Sequence, residues 1–346
     1  MQIMAEFLFL YGLFLAKAIT FVLAAAVATV LVVGLSRRGA APGGLTVEKL
    51  NDRFRETAGE LRRAVLGKAG WKKLAKQEAK ERKAREKALA SGTEQRQRVF
   101  VLDFKGDIRA TAVASLREEV TAVLAVATAS DEVVLRLENF GGAVHEHGLA
   151  ASQLARLRSR GIPLTAIVDK GAASGGYMMA CVANRIIAAP FAVVGSIGVV
   201  AQIPNFNRAL SERGVDFEQV TAGRYKRTVT MFGRTTEEDR AKLREELEEV
   251  HALFKAMVAQ NRPALDIEAV STGEHWYGTR ALELRLVDEL GSSDDYLLAA
   301  AGRADLFRVS YRARHSLPEK IMAAVRAAAE QAELWIGQRR QERSLP

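Results

Sequence analysis

Ser174 stands in the segment Gly171-Ala-Ala-Ser-Gly-Gly-Tyr177, where residue types and order point to chemistry. An apolar β-like run, Pro163-Leu-Thr-Ala-Ile-Val168, precedes it, and a helix-like run, Met178-Met-Ala-Cys-Val-Ala183, follows. That order predicts a sharp strand-to-helix turn. A serine there is exposed at the tip of a sheet, with the first N–H groups of a helix behind it, as a nucleophile requires. A glycine-rich turn without chemistry has the same local composition, so the reading depends on partners.

A serine nucleophile needs a base and an oxyanion site. The five histidines show no zinc spacing, and the single cysteine, Cys181, excludes both an internal disulfide and an all-cysteine metal site. No metal and no cofactor is expected. His145 and His147 read as loop or surface residues, although they lie near the glycine loop Asn139-Phe-Gly-Gly142 and leave a Ser–His pair open. The first histidine after Ser174 is His251, inside a charged helix-like stretch. Lysine is the alternative base, but a solvated ammonium accepts no proton; burial must favour the neutral amine. Lys226 lies in Thr221-Ala-Gly-Arg-Tyr-Lys-Arg-Thr228, after the strand-like run Phe217-Glu-Gln-Val-Thr221. Its local sequence alone reads as that of a surface lysine.

The elements that must position these groups follow an alternating pattern. Strands are predicted at Arg98–Phe104, Glu132–Leu137 and Pro163–Val168, and helices at Ser115–Ala129, Gly148–Ser159 and Ser174–Ala183. Strand–helix alternation gives a parallel α/β layer, with ligand-handling loops at the carboxyl ends of the strands. Three such loops stand out: Lys105-Gly106, Asn139-Phe-Gly-Gly142, and Lys170-Gly171 onward to Ser174. The charge-free stretch Ile186 to Ile203 contains Pro190, Gly195, Ser196 and Gly198, and reads as buried strands rather than a span. Thr235 to Asn261 predicts a long charged helix with an acidic first turn, Thr236-Glu-Glu-Asp239. Leu317 to Arg343 predicts an amphipathic C-terminal helix.

Upstream, Ala18 to Leu35 carries no charge, and apolar character extends back to Phe7 past Lys17. A bilayer span needs roughly 20 mostly apolar residues, so an uncleaved transmembrane anchor is expected over residues 1–36. Glu6 precedes the run, whereas Arg37, Arg38, Lys49, Arg53 and Arg55 follow it. Positive flanks favour the cytoplasmic side, which puts the catalytic domain on the cytoplasmic face of the cell inner (plasma) membrane. Residues 45–92 carry 14 Lys+Arg against 7 Asp+Glu, so +7 of the net +9 charge sits here. A basic helical stalk beside a lipid bilayer, over 37–97, fits that local concentration better than a nucleic-acid binder does.

Together, Gly171–Tyr177, Val194-Gly-Ser-Ile-Gly198, Ala222-Gly-Arg-Tyr-Lys226 and the block from Thr272-Gly-Glu-His-Trp-Tyr277 to Leu286-Val-Asp288 resemble the signal peptide peptidase A/protease IV family of Ser–Lys proteases. The likeness covers residues 98–300, the expected peptidase domain, with 301–346 a helical tail. Tyr11-Gly-Leu-Phe-Leu-Ala-Lys17, Pro204-Asn-Phe-Asn-Arg208 and His275-Trp-Tyr-Gly278 resemble one membrane branch of it. The resemblance implies a ClpP/crotonase-like α/β spiral of βαβ units. It implies that Ser174 attacks the peptide carbonyl, that Lys226 is the general base, and that Ser196 orients the lysine. Gly141, Gly142 and Gly175 would form the oxyanion hole. It further implies peptide or protein substrates, an acyl-enzyme intermediate, and a homo-oligomeric ring in which the lysine can come from a neighbour. Signal-peptide or membrane-protein quality control is the role this suggests. The family usually reads Ser-Pro-Gly-Gly where this chain has Asn139-Phe140-Gly141-Gly142, so the φ restraint of proline is missing. Two other readings compete: a crotonase-like acyl-CoA enzyme, and an inactive membrane scaffold.

Overall fold

The computed structural model describes residues 11–23, 26, 44–91 and 96–312. The chain divides into two units: Met1–Gly44 with Arg314–Pro346, and Leu45–Ala313. In the first, residues 11–23 form an exposed helix, α1. Most of the apolar run to Leu35, and the expected C-terminal helix at 317–343, lie outside the described residues. Among the described residues no helix is long and apolar enough to cross a membrane.

The second unit is a mixed α/β assembly. It opens with β1 (Gly44–Lys49) and α2 (Leu50–Ala90). Then β2 (Gln97–Lys105), α3 (Val113–Val126), β3 (Glu132–Glu138), α4 (Val144–Ser159) and β4 (Leu164–Val168) alternate as the sequence predicts. After β4 the chain leaves the main sheet for β5 (Gly171–Ala173) and α5 (Gly175–Ala180), returns as β6 (Arg185–Ala188), and leaves again as β7 (Val193–Gly195). A long excursion holding α6 (Asn207–Ser211) leads to α7 (Glu237–Asn261) and α8 (Ile267–Val270). The chain closes through β8 (His275–Tyr277), α9 (Gly278–Glu283), β9 (Glu289–Leu290), α10 (Ser293–Arg303) and β10 (Ala304–Arg312).

The main sheet has the order β1-β10-β2-β3-β4-β6-β9, and a small one the order β5-β7-β8. From β10 to β9 every pairing of the main sheet is parallel. In the small sheet β5 and β7 are parallel, while β8 is antiparallel to β7. The stretch Ile186–Ile203 thus contributes to β6 and supplies β7, as buried strands predict, whereas its last four residues, 200–203, are irregular and exposed.

Both faces of the main sheet are covered, which is why β4 is buried along its whole length. One face packs on α3 and α4. Helix α3 presents Val113, Leu116, Val120 and Val123 at helical spacing, all buried. Fully burying such side chains contributes about 1.5–3 kcal/mol each. On the other face Val99, Val101, Val134, Ile167 and Ile187 pack with Leu50, Leu297 and Leu306.

Two regions differ from expectation. The basic stretch is not a straight solvated stalk. Gly67 sits at φ 64°, ψ 177°, inside α2, and breaks it. Arg62 pairs with Glu78, although residues 16 apart in a straight helix would be separated by about 24 Å. Trp71 packs over Gly59, whose added Cβ would lie 3.2 Å from the ring. The helix folds back on itself, and its start is fastened to the sheet by Asn51. That buried amide donates to Ala304 O (2.9 Å) and accepts from Leu306 N (2.8 Å). The second difference is Phe217–Thr221, which is irregular and exposed rather than a strand. Helix α7 does begin where its acidic first turn predicts, with Thr236 and Asp239 forming a reciprocal capping box.

Candidate active site

Ser174 is the residue between β5 and α5. Its backbone lies at φ 53°, ψ −120°, a conformation that costs a non-glycine residue about 1–3 kcal/mol and persists only where surroundings impose it. They do so here. Ser174 N donates to Gly195 O (2.8 Å), and Met178 N donates to Ser174 O (3.0 Å). The following glycines let α5 approach closely. A Cβ on Gly176 would stand 2.0 Å from the Asn139 carbonyl oxygen, and one on Gly175 would stand 2.4 Å from the His147 ring. Gly175 N–H opens the helix and has no carbonyl of its own helix to meet.

Ser196 holds the equivalent place after β7, also at φ 53°, with its N donating to Glu274 O (2.7 Å). Ala173 and Gly195 are partners in the parallel ladder. Their successors, Ser174 and Ser196, therefore emerge side by side at the carboxyl ends of neighbouring strands, which run about 4.8 Å apart.

The loop after β3 closes the site. Gly141 has φ 93°, and a Cβ there would come within 2.7 Å of Ser174 Cβ and 3.0 Å of Gly175 N. Gly142 has φ 151°, and a Cβ there would meet the Ile108 carbonyl oxygen at 2.1 Å. Ala143 N donates to that same oxygen (2.8 Å). The loop backbone is thus pressed between Ser174 and the β2–α3 connection. Gly141 N–H donates to Asn139 Oδ1 (2.9 Å). At the strand ends, Glu138 takes ion pairs from Lys105 (3.3 Å) and Lys170 (3.2 Å). The hydrogen bond from Lys170 holds its carboxyl below the usual range.

The structure brings Ser174, Ser196, Gly141, Gly142 and Gly175 together. It does not bring Lys226 to them. That side chain is exposed in the excursion after β7, and no hydrogen bond joins it to Ser174 or Ser196 among the described residues. The reading of His147 as a loop or surface residue is corrected. It is fully buried on α4, its Nδ1 2.9 Å from Ala143 O and its Nε2 3.2 Å from Asn139 Oδ1, so neither ring nitrogen is bonded to Ser174. His145 is exposed. The spacing His147, Ala150, Ala151, Leu154 and Leu157 is a buried helical stripe, a signal already present in the sequence. No group of three or more His, Cys, Asp or Glu that would hold a metal occurs among the described residues.

Residues 6–154 match the profile "Peptidase family S49 N-terminal", and residues 156–306 match "Peptidase family S49". The chain is 46% identical over 319 residues to the "Probable protease SohB" of Haemophilus influenzae, covering 90% of each. The chain belongs to peptidase family S49. Within S49 it is a SohB-type serine peptidase. The "Probable protease SohB" of Buchnera aphidicola (subsp. Acyrthosiphon pisum) is 56% identical over 230 residues, 66% of this chain and 68% of that one. Among solved structures, a 1510-N membrane-bound stomatin-specific protease with a substrate peptide aligns at a TM-score of 0.41 and 13% identity. That alignment covers 67% of this chain and 99% of the other.

Proposed function

We propose that this S49 protease cleaves peptide bonds with a Ser174–Lys226 dyad. The observation that carries the reading is the strained turn at Ser174, set against Gly141 and beside Ser196. Ser174 Oγ attacks the substrate carbonyl carbon while Lys226 Nζ takes the hydroxyl proton. The carbonyl oxygen becomes an oxyanion, received by the N–H groups of Gly142, on the loop after β3, and Gly175, at the start of α5. The C–N bond then breaks, Lys226 passes its proton to the leaving amine, and an acyl-enzyme remains. Water, deprotonated by the same lysine, attacks the ester and releases Ser174. Base assistance contributes roughly 10²–10⁴-fold, and a single oxyanion donor roughly 10²–10³-fold.

Lys226 is exposed in the single chain, whereas general-base work needs a neutral amine, which burial favours. The base therefore has to be enclosed by a further surface. We assign that surface to neighbouring copies in a homo-oligomeric ring, with the lysine and Ser196 meeting when the ring forms. The alternation between two sheets supports a ClpP/crotonase-like spiral. The apolar run to Leu35 supports a single-pass anchor in the cell inner membrane, and the arginines after it support a cytoplasmic catalytic domain. Substrates on this reading are extended peptide segments near the bilayer, as in signal-peptide or membrane-protein quality control.

Labelling of the detergent-solubilised protein with a fluorophosphonate probe tests the dyad. Wild type labels, whereas Ser174→Ala and Lys226→Ala do not. Undiminished labelling of Lys226→Ala would remove the lysine from the mechanism.

A further inference from the structure

The loop Asn139-Phe-Gly-Gly142 lacks a proline, yet it is held to a single shape by two buried side chains. Asn139 is fully buried. Its backbone continues β3 into the small sheet, with its N donating to Gly171 O (2.8 Å) and its O accepting from Ala173 N (3.0 Å). Its amide is enclosed on all sides. A Cβ on Gly106 would stand 2.5 Å from Asn139 Cγ, and Asn139 Nδ2 points to Met179 Sδ (3.4 Å). Oδ1 accepts the Gly141 N–H.

That last bond fixes which way the amide faces. A backbone N–H only donates, so the oxygen must face the loop. The same oxygen lies 3.2 Å from His147 Nε2, so the imidazole packs directly against the amide. His147 is braced in turn. Its ring packs directly beneath Gly175 and its Nδ1 faces Ala143 O. One pair of side chains thus touches both sides of the oxyanion site, the Gly141–Gly142 loop and Gly175.

We propose that Asn139 and His147 form a buried clamp that sets the oxyanion loop against Ser174, taking over the restraint a proline would supply. The inference rests on the oxyanion reading given under the proposed function. Both are positioning residues: neither touches the reacting atoms. Position 140 is compatible with the substitute restraint. Phe140 has no positive φ, its N–H makes no hydrogen bond among the described residues, and its side chain is 57% exposed.

The test uses the full chain in detergent and a fluorophosphonate probe at several concentrations, which separates the maximal labelling rate from the probe's half-saturation. Hydrogen exchange of the peptide containing Gly141 is followed alongside. Asn139→Leu is expected to lower the maximal rate roughly ten- to hundredfold, leave half-saturation unchanged, and speed exchange. Asn139→Asp, which keeps the acceptor, restores most of the rate, and so does Phe140→Pro added to Asn139→Leu. His147→Leu leaves Asn139 in place and covers an Asn139→Leu protein that fails to fold; it too lowers the rate and speeds exchange. The clamp is overturned by slow exchange in both apolar variants, or by a loss that appears only in half-saturation. A wild type that never labels counts against the Ser174–Lys226 reading alone, because the exchange measurement still decides whether the clamp exists.

Discussion

The strained backbone of Ser174 depends on atoms that leave no room for side chains at its neighbours. Gly176 faces the Asn139 carbonyl oxygen at a distance no Cβ tolerates, and backbone cannot swing away as a flexible side chain can. Gly176→Ala is expected to destabilise the protein by about 1–3 kcal/mol and to displace α5 from β3. A lowered midpoint in urea, with an unchanged slope, checks it. A second residue sets a pH dependence. Glu119, on α3, is buried and accepts Tyr311 N (2.7 Å). Burial pushes its carboxyl up from 4.5 to about 7, with the nearby Asp103 charge adding to the rise. Between those values the folded chain holds more protons than the unfolded one, so this group's contribution falls as pH rises through the window. Glu119→Gln should flatten that part of the stability profile, and thermal melts across the window measure it. Single residues were unevenly legible in the sequence. Ser174 shows through its glycines. His147 does not, because a polar residue near a loop reads as solvated until its place on a buried helical stripe is counted.

At the scale of elements, the fold-back of α2 hangs on Gly67. Its φ and ψ fall in a region open essentially to glycine alone. Gly67→Ala is expected to straighten or fray the hairpin at a cost of about 1–3 kcal/mol. Spin labels at residues 62 and 78 should move from contact toward the ~24 Å spacing of a continuous helix; an unchanged distance would contradict the hinge. Strands β2 and β3 were legible because their apolar runs are long and each is followed by a periodic helix, and β4 because its five residues form an unbroken run buried on both faces. β5 and β8 were not, and β7 was only as part of a longer apolar stretch. Each is three residues long, and such a strand exists only because a partner far away in sequence supplies its hydrogen bonds. The same holds for β1, whose sequence Gly-Leu-Thr-Val-Glu-Lys sits inside a charge-rich stretch and pairs with the last described strand. Phe217–Thr221 shows the converse: β-forming residues without a partner strand stay irregular.

For the molecule as a whole, the excursion between β7 and α7 leaves large apolar side chains in water, including Val200, Phe206, Val220 and Phe232. It also carries the proposed base. No pattern in a single sequence shows where such a segment docks, which is why the local sequence read Lys226 as a surface lysine and its role, like those of Ser196 and the oxyanion glycines, came from resemblance. If neighbouring copies cover it, labelling per chain should collapse on dilution below the assembly constant and return on concentration. A constant rate per chain from a sedimenting monomer would refute the ring requirement. One further whole-chain property follows from Cys181, which is the sole thiol of the sequence and fully buried. Burial pushes that thiol up to about 12, so almost none of it is thiolate at neutral pH, and electrophiles that alkylate exposed cysteines have nothing to attack. The protein is in effect a cysteine-free surface. Exchanging Ser174 for cysteine would introduce the only accessible thiol, and its alkylation rate would report directly on whatever proton acceptor stands beside it.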